Sequence, residues 1–266
     1  MLKILKKTYT YLGDKVKYFK YQSCENSFLI TSFLQNIDYS NLAIDMCNKY
    51  NCDGLLVFDK EKSKVLIYNS DGSEANMCGN GLKCLMHYCF DNLCDKKCLK
   101  FNTRSGIYKT SITSFNPFTT SVDLKKGSYY LDFKKKKYKI NQNIYEISAY
   151  YLGVLHVVLV CNDFDDVLPH IGSIKNDKTF EIEPNINIVK IIDKNSFEII
   201  THERGVGWSR SCATGVGATA YILHKEYGLN DNLVAITPGG VMRVNLSDGI
   251  VVSSSSRFIA VYEEQL

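Results

Sequence analysis

Proline is scarce in this chain, four residues in 266, and tryptophan occurs once. With frequent Lys, Asn and Ile, that scarcity points to an AT-rich genome and says little about function. Charge of one sign is also lacking. The 32 Lys and Arg against 28 Asp and Glu leave a formal net charge of +4, too small to argue a nucleic acid partner. The basic run Lys134 to Lys137 lies between strand-like pieces with aromatics only at its ends, and reads as a solvated strand or turn. No apolar stretch approaches the roughly 20 residues that span a bilayer, so no membrane partner is expected. The N-terminus alternates charge and lacks the continuous apolar core of a secretory signal. The expectation is a cytoplasmic protein whose ten cysteines are reduced thiols.

Hydrophobic residues make up 45% of the chain, enough for one large domain or two of about 130 residues. Short β-branched and aromatic runs bounded by turn residues recur in both halves, as in Phe28–Thr31, Gly54–Phe58, Lys64–Tyr68, Val154–Val160 and Asn185–Ile192. Helical spacing is rarer. It predicts a helix over Ser40 to Tyr50 with Ser40 as N-cap, a second over Gly79 to Phe90, and a third over Ala213 to Tyr227 ending at Gly228. Gly215, Gly217 and Ala218 imply that the third helix packs closely inside a sheet. Many strands with one buried helix per half predict an α+β fold rather than a doubly wound parallel sheet. A soft boundary falls near Phe115-Asn-Pro-Phe-Thr-Thr, with no low-complexity linker to mark it.

Two segments repeat one frame. The first runs from Tyr68-Asn69 to Cys78-Gly-Asn-Gly81, the second from His202-Glu203 to Cys212-Ala-Thr-Gly215. Each cysteine has Gly three residues on and a polar residue nine before it, Asn69 or Glu203. A thiol at a helix start has its anion favoured, and its pKa falls from about 8.5 toward 7 or below. One thiol can then wait as thiolate and the other as thiol, an acid and a base suited to inverting a stereocentre. Amino-acid Cα protons are very weakly acidic, and most enzymes lend them acidity with pyridoxal phosphate. There is no strong phosphate loop here, and Gly205-Val-Gly207 is too short to count as one. A cofactor-free site must hold the developing carboxylate charge with fixed donors, and the N–H groups of Gly79, Asn80, Ala213 and Thr214 follow the thiols directly. A single cysteine at a helix start is ordinarily a small buried residue; two in matched frames argue otherwise.

These strings, with Pro238-Gly-Gly240, resemble diaminopimelate epimerase and its relatives, cofactor-independent amino-acid racemases and epimerases. The resemblance covers nearly the whole chain. It implies two pseudo-symmetric domains, each a curved, mostly antiparallel β-sheet wrapped around a central helix. Residues 1–117, with strand 257–266 returning to them, would form one, and 118–256 the other. It implies a small-molecule amino-acid substrate, no cofactor and no metal, and leaves a homodimer open. Cys78 and Cys212 match the family's acid–base pair, and Glu203 and Arg204 its Glu-Arg dipeptide. Glu203 would help tune a thiol, and Arg204 would read a substrate group away from the reacting carbon. Asn26, Asn69 and Asn185 match substrate-binding asparagines. His156 matches a histidine that could assist Cys78, and as a lone strand histidine could equally be a core residue.

Departures from the family cluster where substrate is read. The pattern His-Gly-Leu-Gly-Asn-Asp appears as Gln22-Ser-Cys-Glu-Asn-Ser27. Val154 replaces an asparagine, Trp208 a glutamate and Ala213 a glycine. Two substrate expectations stand. One is a single-centre amino acid, with histidine the leading candidate, since a planar side chain would tolerate Val154 and stack near Trp208. The other is diaminopimelate. Outside these, a proline-type racemase lacks the Asp-Gly-Ser-Glu and Glu-Arg-Gly pieces. A non-catalytic protein on this scaffold would not need both thiols. A metal protein would need spacings that Cys84, Cys89, Cys94 and Cys98 do not have.

Overall fold

The computed structural model describes residues 15–140 and 143–265. They form two compact units: one runs to Ile112 and resumes at Ser256, the other comprises Thr113–Ser255. The fold is α+β, with the strands mostly antiparallel. Among the described residues no helix is long and apolar enough to cross a membrane.

In the first unit, strand Lys15–Ser23 pairs antiparallel with Asn26–Ser32 on one side and with the end of Val251–Gln265 on the other. Cys24 and Glu25 form the hairpin turn, both at positive φ (48° and 56°), the geometry a two-residue turn between twisted strands demands. Helix α1 (Tyr39–Tyr50) then crosses to Gly54–Asp59, which lies parallel to Asn26–Ser32 and antiparallel to Lys64–Asn69. The N-cap of α1 is Asp38, not Ser40. Its carboxylate accepts from the N–H groups of Ser40 and Asn41, so an anion occupies the positive end of the helix. Tyr39, Ala43 and Cys47 of α1 bury against Leu29, Leu55 and Val57.

Helix α2 (Gly79–Asn92) runs two residues past the sequence expectation and is buried on every side from Gly79 to Cys89. Such a helix cannot lie on a surface. It packs against Lys15–Ser23, Asn26–Ser32 and Cys98–Thr103. Cys84 and Cys89 are packing residues of this helix.

The second unit repeats the order. Hairpin Asn143–Leu152 and Val154–Val160 leads through α3 (Ile171–Lys175) to Asn185–Ile191, parallel to Val154–Val160 and antiparallel to Ser196–Glu203. Helix α4 (Ala213–Tyr227) follows and ends at Gly228, whose φ of 67° is the left-handed cap that glycine adopts without strain. Asn232–Thr237 then pairs parallel to Ser196–Glu203, as Cys98–Thr103 does to Lys64–Asn69. α4 packs against Asn143–Leu152, Val154–Val160 and Asn185–Ile191, its apolar face closed by small residues. A second core of this unit gathers Ile147, Val157, Leu159, Ile186 and Ile188 around Val167 and Ile174. The lysine run sits at its edge, with Lys134, Lys135 and Lys136 over the rings of Tyr129, Tyr227 and Phe133.

Candidate functional site

The duplicated frame of the sequence is a duplicated piece of structure. In the first unit Tyr68, ten residues before Cys78, pairs with Glu74 on the short strand Glu74–Ala75. In the second His202, ten residues before Cys212, pairs with Trp208 on Gly207–Ser209. Each short return strand feeds its cysteine into the N-cap position of a buried helix. Cys78 has φ −140° and ψ 111°, and Gly81 N–H donates to its Sγ at 3.4 Å. Cys212 has φ −130° and ψ 108°, and Gly215 N–H donates to its Sγ at 3.4 Å. Sulfur therefore does the work that Ser or Asp oxygen usually does at an N-cap, and each thiol receives a donor that favours its anion. Thr214 Oγ1 adds a contact of 3.3 Å to Cys212 Sγ. Cys78 is half-buried and Cys212 buried.

In the first unit Gly79 and Asn80 open α2 directly after Cys78, and the structure joins Asn80 to a second candidate, Asn26. Asn80, in the first turn of α2, donates to Asn26 Oδ1 at 3.4 Å. Asn26 is fixed by the tight hairpin turn and by Asp53, whose Oδ2 accepts from Ser27 N–H at 2.7 Å. Asn69 ends Lys64–Asn69 and donates to Ser73 Oγ at 2.9 Å, inside the loop that returns to Glu74. Asp71 Oδ1 holds the same loop by accepting from Ser73 N–H and Oγ, which keeps the Asp71 carboxyl below its ordinary range.

In the second unit Ala213 and Thr214 open α4 directly after Cys212, while Asn185 lies opposite His156 on the neighbouring strand and meets Arg204. Asn185 Oδ1 accepts from Arg204 N–H at 2.8 Å, so the asparagine fixes the Glu203–Arg204 step at the end of its strand. The Arg204 side chain is exposed. His156 is completely buried, which holds its ring neutral by lowering its pKa from 6.5 to about 3. Its Nδ1 meets Asn187 Nδ2 at 3.3 Å, and its Nε2 has no hydrogen-bond partner among the described residues. Val154 is half-buried, and Trp208 is 47% exposed, edge-on to His202 at 5.2 Å.

Sequence reasoning missed Asn187. It is fully buried, donates to Val157 O at 3.0 Å and accepts from Thr201 Oγ1 at 3.0 Å. It also abuts Gly215: a Cβ there would sit 2.4 Å from Asn187 Oδ1. The signal was available, because Asn187 is two residues from Asn185 and so on the same face of its strand. Asp53 carried no such signal, since only the fold brings it to Ser27.

A family model described as diaminopimelate epimerase matches residues 21–131. A diaminopimelate epimerase of Campylobacter jejuni is 32% identical over 237 residues, 84% of this chain and 87% of that protein. Among solved structures, a phenazine biosynthesis protein of the PhzF family from Enterococcus faecalis has a TM-score of 0.70 at 14% identity, covering 95% of this chain and all of the other. A hydroxyproline epimerase from Agrobacterium vitis has a TM-score of 0.69 at 9% identity, covering 96% and 93%. At such identities these two structures share the fold.

Proposed function

The chain belongs to the diaminopimelate epimerase family of isomerases, and from that membership we propose that it inverts the α-carbon of a free amino acid without a cofactor, using Cys78 and Cys212 as its proton-transfer pair. The observation that carries this reading is the matched capping of two buried helices by two thiols, each receiving a glycine N–H at 3.4 Å. In one direction the thiolate of one cysteine takes the Cα proton while the thiol of the other returns a proton to the opposite face. In the other direction the roles exchange. In this reading the first-turn N–H groups of Gly79, Asn80, Ala213 and Thr214 are the donors assigned to the developing negative charge of the substrate carboxylate, with helix dipoles reinforcing them.

His156, neutral and buried, orients through Asn187 rather than acting as a cation. Glu203 and Arg204 present their side chains from a strand end fixed by Asn185, and Arg204 reads the distal part of the substrate. Asn26 and Asn69 bind the substrate on the side of Cys78. Histidine is the leading substrate of this reading. The half-buried aliphatic Val154 offers no hydrogen bond to a distal charged group, and the exposed indole of Trp208 offers a face for a planar ring. Diaminopimelate is the second reading, favoured by the name of the Campylobacter relative.

The test is a panel of L-amino acids, including L-histidine, and of diaminopimelate isomers in heavy water, read by NMR for loss of the α-proton signal. Loss from histidine ahead of the others supports the first reading. Faster loss from diaminopimelate than from any single-centre amino acid replaces it with the second, and no exchange from any substrate overturns both.

A further inference from the structure

Three strands of the first unit end side by side. Asn26–Ser32 and Gly54–Asp59 run parallel, Lys64–Asn69 runs against them, and Phe28, Gly54 and Asn69 form one rung near their shared end. One residue beyond that rung stand Ser27, Asp53 and Ser70, and Asp53 joins the other two. Its Oδ2 accepts from Ser27 N–H at 2.7 Å and from Ser27 Oγ at 3.2 Å. Its own N–H donates to Ser27 O at 2.9 Å, and its carbonyl accepts from Ser70 N–H at 3.2 Å. Ser27 follows Asn26 in the chain, and Ser70 follows Asn69. One residue thus holds the backbone beside both candidate asparagines of this unit.

We propose that Asp53 is a positioning residue for substrate binding, fixing Asn26 and Asn69 at the spacing at which both meet the substrate. The inference rests on the function proposed above, in which these two asparagines bind substrate.

Asp53 is exposed, and so are the bonds its carboxylate makes to Ser27. Water replaces an exposed hydrogen bond at little cost, so this carboxylate adds little to stability. Water does not replace its direction, because a solvated strand end is free to splay. The network continues from the two asparagines. Asn26 Oδ1 accepts from Asn80 Nδ2 at 3.4 Å, in the first turn of α2 beside Cys78. Asn69 Nδ2 donates to Ser73 Oγ at 2.9 Å. The second unit ties the matching place by other means. Gly54 and Asn185 each open the strand that lies parallel to the preceding hairpin, and Asn69 and Glu203 each end the strand that runs against it. Arg204, the counterpart of Ser70, donates its N–H to Asn185 Oδ1 at 2.8 Å. The counterpart of Asp53 is Pro184, which has neither a carboxylate nor an N–H to give. In both units the step after the frame's polar residue is held to the start of the parallel strand, by different residues. A tie kept in place while its chemistry differs points to a demand on geometry at that strand end.

The experiment compares Asp53→Ala and Asp53→Asn with the wild type, all full-length. It uses steady-state kinetics on the substrate found by the exchange panel and amide hydrogen exchange at Ser27 read by NMR. Asp53→Ala should raise KM roughly tenfold, the scale of one hydrogen bond to a charged group. It should leave kcat within about threefold, because groups that hold substrate away from the reacting carbon act alike on ground and transition states. Its Ser27 amide should exchange faster, with a melting temperature lower by about 2 °C or less. Asp53→Asn keeps an acceptor oxygen and should recover most of the KM. An unchanged KM in Asp53→Ala, or a fall in kcat at constant KM, overturns the proposal. An Asp53→Asn variant as impaired as Asp53→Ala also overturns it, since the charge would then act on substrate directly. Should Asp53→Ala fail to fold, the wild type decides: a Ser27 amide that exchanges at the open-chain rate overturns the proposal. Exchange of no amino acid in the panel fails the functional reading, whereas an active enzyme with an unmoved KM fails this proposal alone.

Discussion

Replacing Gly215 by alanine would place a methyl carbon 2.4 Å from Asn187 Oδ1. Ordinary contact needs about 1 Å more, and neither partner can supply it freely. The helix is held on its opposite side, where a Cβ at Gly217 would already lie 2.9 Å from Ile250 and Leu124. Asn187 is held by Thr201 at 3.0 Å, by Val157 O at 3.0 Å and by His156 at 3.3 Å. Overpacking of this kind costs about 1–3 kcal/mol. Moving Asn187 far enough to relieve it leaves at least one buried polar group unmatched, a further ~1–3 kcal/mol. We expect Gly215→Ala to lose about 4 kcal/mol, which lowers the melting temperature by roughly 10 °C for a chain of this size. Gly172→Ala is the control. Nothing lies within 4 Å of its added Cβ, and an alanine in the short helix α3 should leave stability level or slightly higher. The sharper test is the double variant. Asn187→Ala removes the obstructing oxygen, so adding Gly215→Ala to it should cost far less than in the wild type. Thermal melts within error of wild type for Gly215→Ala, or strictly additive losses in the double variant, would refute the close-packing argument.

Acid stability follows from His156. Its folded pKa of about 3 lies below its ordinary 6.5, so below ~6.5 the unfolded chain takes up a proton that the folded one refuses, and stability falls by about 1.4 kcal/mol per pH unit toward pH 3. His156→Leu should flatten that branch of a denaturation-against-pH curve, and an unchanged slope would show that the ring is not held neutral. Glu25 occupies a left-handed conformation at φ 56°, so Glu25→Gly should raise the midpoint of urea unfolding by about 0.5–1 kcal/mol equivalent; a drop would mean the side chain contributes more than its backbone costs. Cys78→Ala and Cys212→Ala should each abolish racemisation of the substrate found by the exchange panel while lowering the melting temperature by only about 2–4 °C, the cost of one lost helix cap. Near-normal turnover in either variant would sink the two-thiol scheme.

Local rules made much of this protein legible before any fold was known. The strands at Gly54–Asp59, Val154–Val160 and Asn185–Ile191 and the helix Ala213–Tyr227 follow from β-branched runs, helical spacing and a C-capping glycine. Each is a short-range signal carried by neighbours in sequence. The cysteine frames were legible for the same reason: a return strand, an N-cap and a helix together need only about fifteen consecutive residues. The cap of α1 was misplaced by two residues because Ser40 and Asp38 are both good caps, and only the chain's entry into the helix selects between them.

What tertiary structure alone decided is which polar groups are buried together. Asp53 reaches Ser27, and Asn187 reaches His156 and Gly215, all across gaps in sequence that no period or spacing encodes. Burial, not residue type, neutralises His156 and shifts Lys83 and Cys84. A side chain's charge state is set by the dielectric and the partners around it. Those are properties of packing, and they come into being only when distant segments have met.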